Sequence, residues 1–385
     1  MDWLAPWLLC GVVALPITVL AIECLIGTRA LRDTGEPLAL PPFTVVMPAH
    51  DEALGIREVA DAVAADLCEG DALVVVADNC TDDTAAIANE AGATVLVRTD
   101  PENRGKGHAL EFGRRFIAAA PSGIVIIVDA DCRPAPGALR RLAAVAFRHD
   151  AVVQGAYLLE PAIDARPNVR VSCLAFLVKN LVRQRALQRL AGAALLQGSG
   201  MAFPSRIFNS VQWDTACLVE DLELGIRLLA SGERVLFDDR ARFSSAASSE
   251  RATANQRRRW EHGMLQSMFG LAWRLAPAVF KHDWRLVFVA LDLLIPPTAV
   301  LVAMGLGVTA MASVLLGPHP AVVSLIAAQL LLAFGLVRAW RAHGRALLPA
   351  GSLAHVLRYA LWKLPIAARF LVGREREWVR TEREL

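Results

Sequence analysis

The chain has 385 residues, of which 55% are hydrophobic, 6% aromatic and 20% charged, an apolar share above the roughly 45–50% of an ordinary soluble domain. With a mean hydropathy of +0.41, the excess predicts lipid-facing helices rather than one oversized core, and it excludes a disordered, collagen-like or disulfide-scaffold chain. Forty basic against 38 acidic residues leave a net charge of +2, so no nucleic-acid partner is expected.

A membrane-spanning helix needs about 20 mostly apolar residues. Residues 3–26 form such a stretch, interrupted by Pro6, Pro16 and Glu23 and followed by Arg29 and Arg32. It lacks the basic n-region and the clear small-residue cleavage site of a signal peptide, so residues 1–27 are expected to stay as a transmembrane anchor. A second apolar block covers 286–316 and resumes at 321–337 after Gly317-Pro318-His319-Pro320, which predicts a transmembrane hairpin within 286–340. Asp292 and Pro296-Pro297 interrupt its first arm, which fits either a kinked or tilted helix or an interfacial entry followed by a span. Arg251, Arg257, Arg258 and Arg259 precede the hairpin, and Arg338, Arg341 and Arg345 follow it. By the positive-inside rule both flanks face the cytoplasm, as does the region after the first span.

In residues 352–372 a helical projection gathers His355, Arg358, Trp362, Lys363 and Arg369 within about 140°, as for a helix lying in the interface; a fourth span is the alternative. With the arginine-rich tail, 341–385 therefore reads as an interfacial helix and a charged cytoplasmic segment. Trp273 and Trp284 read as interfacial belt residues. Arg183, Arg185 and Arg189, on a predicted helix over 169–190, read as juxtamembrane contacts with anionic lipid. Seven cysteines without a CxxC pair predict neither disulfides nor a zinc site.

Between the apolar ends, short β-rich runs at 44–47, 73–77, 94–97, 124–128 and 152–158 alternate with Ala-rich stretches at 55–67, 82–91, 106–119 and 136–148. This alternation predicts a doubly wound α/β sheet, whose ligands bind beyond the carboxyl ends of the strands. Polar residues stand at four of those ends: Pro48-Ala49-His50-Asp51-Glu52, the run from Asp78 to Asp83, Asn103-Arg104-Gly105-Lys106-Gly107, and Asp129-Ala130-Asp131. Two carboxylates after an apolar strand can meet one Mg²⁺ or Mn²⁺ bridging a diphosphate. Neither Gly105-Lys106-Gly107-His108 nor Gly198-Ser199-Gly200 extends to a Walker A or GxGxxG motif. Glu220 and Asp221 open a predicted helix, where they suit either the helix dipole or general-base chemistry. Gln256-Arg257-Arg258-Arg259-Trp260 follows.

In order and content, Asp78, Asp129-x-Asp131, Glu220-Asp221 and Gln256-x-x-Arg259-Trp260 resemble the processive-type family 2 glycosyltransferases of bacterial inner membranes, the group of cellulose, hyaluronan and related exopolysaccharide synthases. The likeness covers about 43–262. It implies a GT-A glycosyltransferase domain over 28–252, interfacial helices carrying the QxxRW motif over 253–285, and about three spans in the inner (cytoplasmic) membrane with the catalytic domain on the cytoplasmic side. It further implies that Pro48, Ala49, His50, Glu52 and Asp78 border the donor base and ribose, that Lys106 approaches its phosphates, and that Asp129 and Asp131 hold nucleotide and metal. Asp221 would be the general base, in a catalytic set with Glu220 and Arg259. Gln256, Arg259 and Trp260 would close over diphosphate and acceptor, with Gly198, Ser199 and Gly200 as the acceptor-facing turn. His50 stands where the family often has Tyr, and Val219 where Thr commonly precedes the acidic pair.

The resemblance implies a metal-dependent, inverting transfer of a sugar from a nucleotide-sugar, with a UDP-sugar as the expected donor, to a lipid-linked or polysaccharide acceptor in exopolysaccharide or cell-envelope glycan synthesis. Membrane lipids, and an oligomer or secretion complex, are the other partners considered. Two alternatives stay open: a polyprenyl-phosphate glycosyltransferase, and a non-catalytic nucleotide-sensing subunit of a polysaccharide secretion complex.

Overall fold

In a computed structural model that describes residues 4–32, 40–119, 123–213, 220–247, 267–281, 283–352 and 354–356, the β-rich runs join a single sheet. Its strands are β1 (Phe43–Ala49), β2 (Ala72–Asp78), β3 (Thr94–Arg98), β4 (Ile124–Ile127), β5 (Arg133–Pro134), β6 (Val152–Glu160), β7 (Met201–Pro204) and β8 (Val235–Ala246). They lie in the order β3-β2-β1-β4-β7-β6-β8-β5. The first four are parallel, with Val45 opposite both Leu73 and Ile126. Their near-continuous Val, Ile and Ala content suits strands covered on both faces, and β1, β2 and β4 are almost wholly buried.

The predicted helices appear at Ile56–Ala64, Thr84–Glu90, Lys106–Ile117 and Ala138–His149. Ile56, Val59, Ala60 and Val63 are the buried face of the first, at the spacing of an amphipathic helix. A Cβ on Gly113 would stand 3.1 Å from Val76 Cγ2 and 3.3 Å from Val46 Cγ1, so a bare backbone lets that helix sit close on the sheet.

Beyond the expected parallel strands, the sheet continues through β7, antiparallel to β4 and β6, and through β5, antiparallel to β8. Of this half only β6 is among the sequence-based strands, at 152–158; β5, β7 and β8 are not. Strand β7 is four residues long and ends in proline, and β8 carries Asp238, Asp239, Arg240 and Arg242, which obscure its apolar character. Tertiary partners offset those charges: Asp238 pairs with Arg141 Nη2 at 2.9 Å, and Asp239 Oδ2 accepts from the Leu31 N–H at 3.0 Å.

The chain divides into two compact units. One comprises Leu31–Leu159 and Ala193–Ala246, with the sheet; the other comprises Met1–Ala30, Glu160–Gly192 and Ala247–Leu385. Among the described residues of the second unit, three helices are long and apolar enough to cross a membrane: Leu4–Ile26, Thr298–Leu316 and Pro320–Gly344. Leu286–Leu293 is a separate helix that ends ahead of Pro296 and Pro297, so the interrupted arm is a short helix followed by the long helix Thr298–Leu316. Cys10, Val13, Ile17, Leu20, Ala21 and Cys24 form the buried stripe of the first span, while Leu8, Val12 and Leu15 are exposed. Small residues bring the spans together, since a Cβ on Gly335 would meet Cys24 Cβ at 3.0 Å and one on Gly305 would meet Ile17 Cδ1 at 2.9 Å.

The predicted helix over 169–190 is a continuous helical rod, Pro167–Leu177, a π-helical segment Val178–Arg183, and Gln184–Leu190. Two of its three arginines correct the lipid-contact expectation. Arg183 and Arg185 are 7% and 3% exposed. The Arg183 guanidinium meets Asp292 Oδ1 at 2.6 Å and Glu23 Oε2 at 3.2 Å, joining the rod to the helices Leu4–Ile26 and Leu286–Leu293. Arg185 Nη1 donates to His343 Nε2 at 2.9 Å. Arg189 donates to the carbonyls of Ile26, Arg29 and Ala30 at the carboxyl end of the first span, where a cation is favoured. Trp273 and Trp284 are exposed. The expected interfacial segment over 352–372 and the tail beyond it lie outside the described residues, apart from 352 and 354–356.

Removing Arg183 would leave Glu23 and Asp292 buried without their cation. Arg183→Met is expected to destabilise the detergent-solubilised protein by about 3–5 kcal/mol, read as a lowered thermal midpoint. Adding Glu23→Gln and Asp292→Asn should recover most of that loss; a triple variant no more stable than the single one would show that the arginine does not act through these carboxylates.

Candidate active site

Two groups of polar side chains collect at the carboxyl ends of the parallel strands. At the ends of β1 and β2 the backbone turns through left-handed Asp51 and Asn79, each with φ of 52°, a conformation that short Asx side chains tolerate. Those side chains hold the neighbouring loops. Asp51 Oδ1 accepts from the Thr81 N–H at 2.6 Å, and Asn79 Oδ1 accepts from the Asp100 N–H at 2.8 Å. His50 Nδ1–H donates to the Asp78 carbonyl at 2.7 Å, and the Glu52 N–H donates to Thr84 Oγ1 at 2.8 Å. Pro48, Ala49, His50, Glu52 and Asp78 thus stand on adjacent strand ends. The Asp78 carboxylate is already engaged, with Arg98 Nη1 at 2.5 Å and Asn79 Nδ2 at 3.0 Å.

Here Asp51, Cys80 and Asp82 bring three possible metal-ligand atoms within 4.8 Å of one another. Burial raises the Cys80 thiol above its ordinary range, which keeps it protonated and leaves the two carboxylates as the groups able to hold a hard cation.

The second group centres on Lys106, which opens its helix just after Gly105, a residue at φ of 122° that only glycine adopts freely. Lys106 Nζ lies 2.8 Å from Asp129 Oδ1 and 3.9 Å from Asp221 Oδ1, and it donates to the Gly198 carbonyl. Glu220 and Asp221 begin the helix Glu220–Ala230. A Cβ on Gly107 would overlap the Trp213 carbonyl and lie 3.1 Å from Glu220 Oε2. Gly198 has φ of 97°, and a Cβ there would stand 2.8 Å from Asp221 Oδ2. Ser199 Oγ accepts from the Asp129 N–H at 3.0 Å. Lys106, Asp129, Gly198, Ser199, Glu220 and Asp221, far apart in the chain, therefore converge. Asp131, partly buried, follows Asp129 by two residues.

The electrostatics separate the two adjacent acids. Burial, then the charge of Asp221, pushes Glu220 up to about 8 against the opposing pull of Lys106. Asp221 is also raised by burial and by Asp129, with Lys106 again opposing. Burial works against the Lys106 ammonium, yet the carboxylates of Asp129 and Asp221 outweigh it and hold the charge more firmly than in water. The space before Asp129 thus already stabilises a positive charge, and carboxylate oxygens are the donors that a hard divalent cation takes.

Gln154 is a site residue that none of the sequence motifs includes. It is fully buried in β6, and its Nε2 donates to the carbonyls of Gly155 at 2.9 Å, Ser199 at 2.8 Å and Gly200 at 3.3 Å. Its Oε1 accepts from the Gln197 N–H at 2.8 Å. One carboxamide thereby sets the whole 197–200 turn. Phe243 of β8 seals it from below, its ring where a Cβ on Gly200 or Gly155 would go. A polar residue inside an otherwise apolar strand run is the available signal for Gln154. Nothing local marks Phe243, or Arg98 beside Asp78. Val219, Gln256, Arg259 and Trp260 lie outside the described residues.

Comparison with known proteins agrees with this geometry. Residues 41–263 match the family described as glycosyltransferase like family 2. The chain is 27% identical over 238 residues to the probable glycosyltransferase YdaM of Bacillus subtilis, covering 58% of this chain and 55% of that protein. It is 39% identical over 101 residues to an uncharacterized glycosyltransferase, Rv0539, of Mycobacterium tuberculosis, covering 26% of this chain and 42% of the relative. The matches therefore span about half the length of these curated relatives. Among solved structures, the mannosyltransferase PcManGT of Pyrobaculum calidifontis, in complex with GDP-Man and Mn²⁺, superposes with a TM-score of 0.58 at 19% identity, over 93% of this chain and 97% of that one. That likeness is one of fold, the GT-A arrangement of a mixed α/β sheet. Because the family match takes in the parallel strands, the Gly198 turn and the Lys106–Asp129–Asp221 centre together, the chain belongs to glycosyltransferase family 2.

Proposed function

We propose that the protein is a membrane-bound, inverting glycosyltransferase that moves a sugar from a nucleotide-sugar to a hydroxyl of a lipid-linked or glycan acceptor on the cytoplasmic side of the inner membrane. The observation that carries this reading is the meeting of Lys106 with Asp129 and Asp221 at the ends of the parallel strands. The apolar helices of the same chain suit an acceptor that resides in or leaves through lipid. A UDP-sugar is the first donor to test, and a GDP-sugar the second, since PcManGT was solved with GDP-Man.

In this reading Pro48, Ala49, His50, Glu52 and Asp78 receive the donor's base and ribose, and Asp129 and Asp131 hold Mg²⁺ or Mn²⁺. Bound there, the metal would neutralise charge developing on the departing diphosphate. Asp221 takes the proton from the acceptor hydroxyl as its oxygen attacks the anomeric carbon. Glu220, raised to about 8, keeps its proton at neutral pH, so the neighbouring acids do not compete for one role. The bond to the diphosphate breaks on the opposite face, which inverts the anomeric carbon. Gly198, Ser199 and Gly200 shape the acceptor side, and Gln256, Arg259 and Trp260 close over diphosphate and acceptor.

Detergent-solubilised protein with Mn²⁺ or Mg²⁺ and membrane lipid extract is expected to release nucleoside diphosphate from one member of a panel of UDP- and GDP-sugars. Asp221→Asn should slow that release by about 10²–10⁴-fold while nucleotide binding persists. No turnover with any donor, or loss of binding together with transfer, would overturn the assignment.

The base must be ionised to act, so kcat/KM should fall as pH falls through the Asp221 pKa. Because that pKa is raised, the acid limb should lie above the ordinary value of 3.8. A profile flat down to that pH would remove a buried carboxylate from the base role.

Gln154→Leu, which keeps the packing and deletes the amide, should lower kcat by about 10²-fold through displacement of the 197–200 turn, with little change in donor KM. An unchanged kcat would show that the turn holds itself.

A further inference from the structure

Lys106 is placed against the ordinary preference of its position. It opens a twelve-residue helix, where the helix dipole disfavours a cation, and it is only partly exposed, with 20% of its side chain accessible. Three carboxylates account for it. Asp129 Oδ1 is at 2.8 Å and Asp221 Oδ1 at 3.9 Å, Glu220 adds its field, and the Gly198 carbonyl accepts a hydrogen bond from the same ammonium. One positive side chain thus fills the position in front of the acid that the proposed function gives to nucleotide and metal.

We infer that Lys106 is a built-in counter-cation that keeps a divalent ion off Asp129 until a nucleoside diphosphate arrives and offers the ammonium a new partner. The inference rests on the transferase reading and adds an order to it, in which metal affinity depends on nucleotide. The physical reason is competition between like charges. An ammonium and a divalent ion cannot share one carboxylate oxygen without strong repulsion, whereas a diphosphate brings enough negative charge to satisfy both. Lys106 then moves from Asp129 to the phosphates, and Asp129 is released to the metal. Asp221 loses a nearby cation in the same movement and becomes a better proton acceptor as the donor seats.

The test measures Mn²⁺ binding to the full-length protein in detergent micelles by the loss of the free-ion paramagnetic resonance signal, alone and with UDP or GDP. Wild-type protein is expected to bind Mn²⁺ at least tenfold more tightly with the fitting nucleotide than without it. Lys106→Met should bind nucleotide-free Mn²⁺ about tenfold or more tightly than wild type, and should lose most of the nucleotide-dependent gain. Lys106→Arg, which keeps a cation, should behave as wild type. A tighter metal site is an outcome that mere loss of structure does not produce. If Lys106→Met proves unfolded by its thermal transition, Lys106→Gln serves in its place. Nucleotide-free affinity equal to or weaker than wild type in the neutral variant overturns the inference even where UDP or GDP binds. Failure of both nucleotides to bind wild-type protein with Mn²⁺ would instead overturn the transferase reading on which it rests.

Discussion

The backbone turn at 197–200 is the constraint from which the rest of the candidate site follows. Its carbonyls and N–H groups would be costly to bury unpaired, and the carboxamide of Gln154 meets three of them, the Gln197 N–H and the carbonyls of Ser199 and Gly200. With the turn set, the Gly200 N–H donates to the Ile127 carbonyl at 3.0 Å and the Gly200 carbonyl accepts from the Gly155 N–H at 2.8 Å, which ties β4 and β6 to it. The Ser199 hydroxyl then orients the Asp129 backbone, and the Gly198 carbonyl receives Lys106. No Cβ fits at Gly198 beside Asp221, or at Gly200 over Phe243. Acid, lysine and turn are thus held by one set of hydrogen bonds rather than by separate loops.

The helical unit solves a different problem with related means. Glu23 and Asp292 are each 1% exposed, and polar groups so placed need hydrogen-bond partners. Arg183 supplies one to each from a rod that lies, in sequence, between β6 and β7. The chain therefore leaves the sheet after β6, contributes a rod to the helical unit, and returns for β7. The π-helical segment Val178–Arg183 shifts the side-chain register just where the guanidinium must turn inward. The helical unit and the sheet unit are consequently not successive segments of the chain but interleaved ones.

Much of this architecture is legible in the amino-acid sequence. Apolar runs at 44–47, 73–77 and 124–128 form β1, β2 and β4 because strands buried on both faces need little beyond Val, Ile and Leu. Long apolar stretches form helices long and apolar enough to cross a membrane, a property that length and hydropathy decide alone. Glycine at 105 and 198 marks turns because few other residues take their backbone angles. What stays hidden is consistently a residue whose local pattern misleads. Strand β8 resembles a charged loop, and Arg141 and the Leu31 N–H, both distant in sequence, are among the partners that satisfy its aspartates. Arg183 and Arg185 resemble lipid contacts, and their burial explains them, with Glu23 and Asp292 beside Arg183 and His343 beside Arg185.

Composition and periodicity, being local properties, were enough to determine the class of fold, the places of the three long apolar helices among the described residues and the identity of the acids at the strand ends. The positions of those acids relative to one another are not local. Lys106, Asp129, Gly198 and Asp221 lie scattered over more than a hundred residues of sequence, and their meeting depends on strand order, on an antiparallel β7 beside β4, and on a turn held by Gln154. Hydrogen bonds and ion pairs are short-ranged and directional, so which of them forms was decided only when the packed sheet brought the partners within reach.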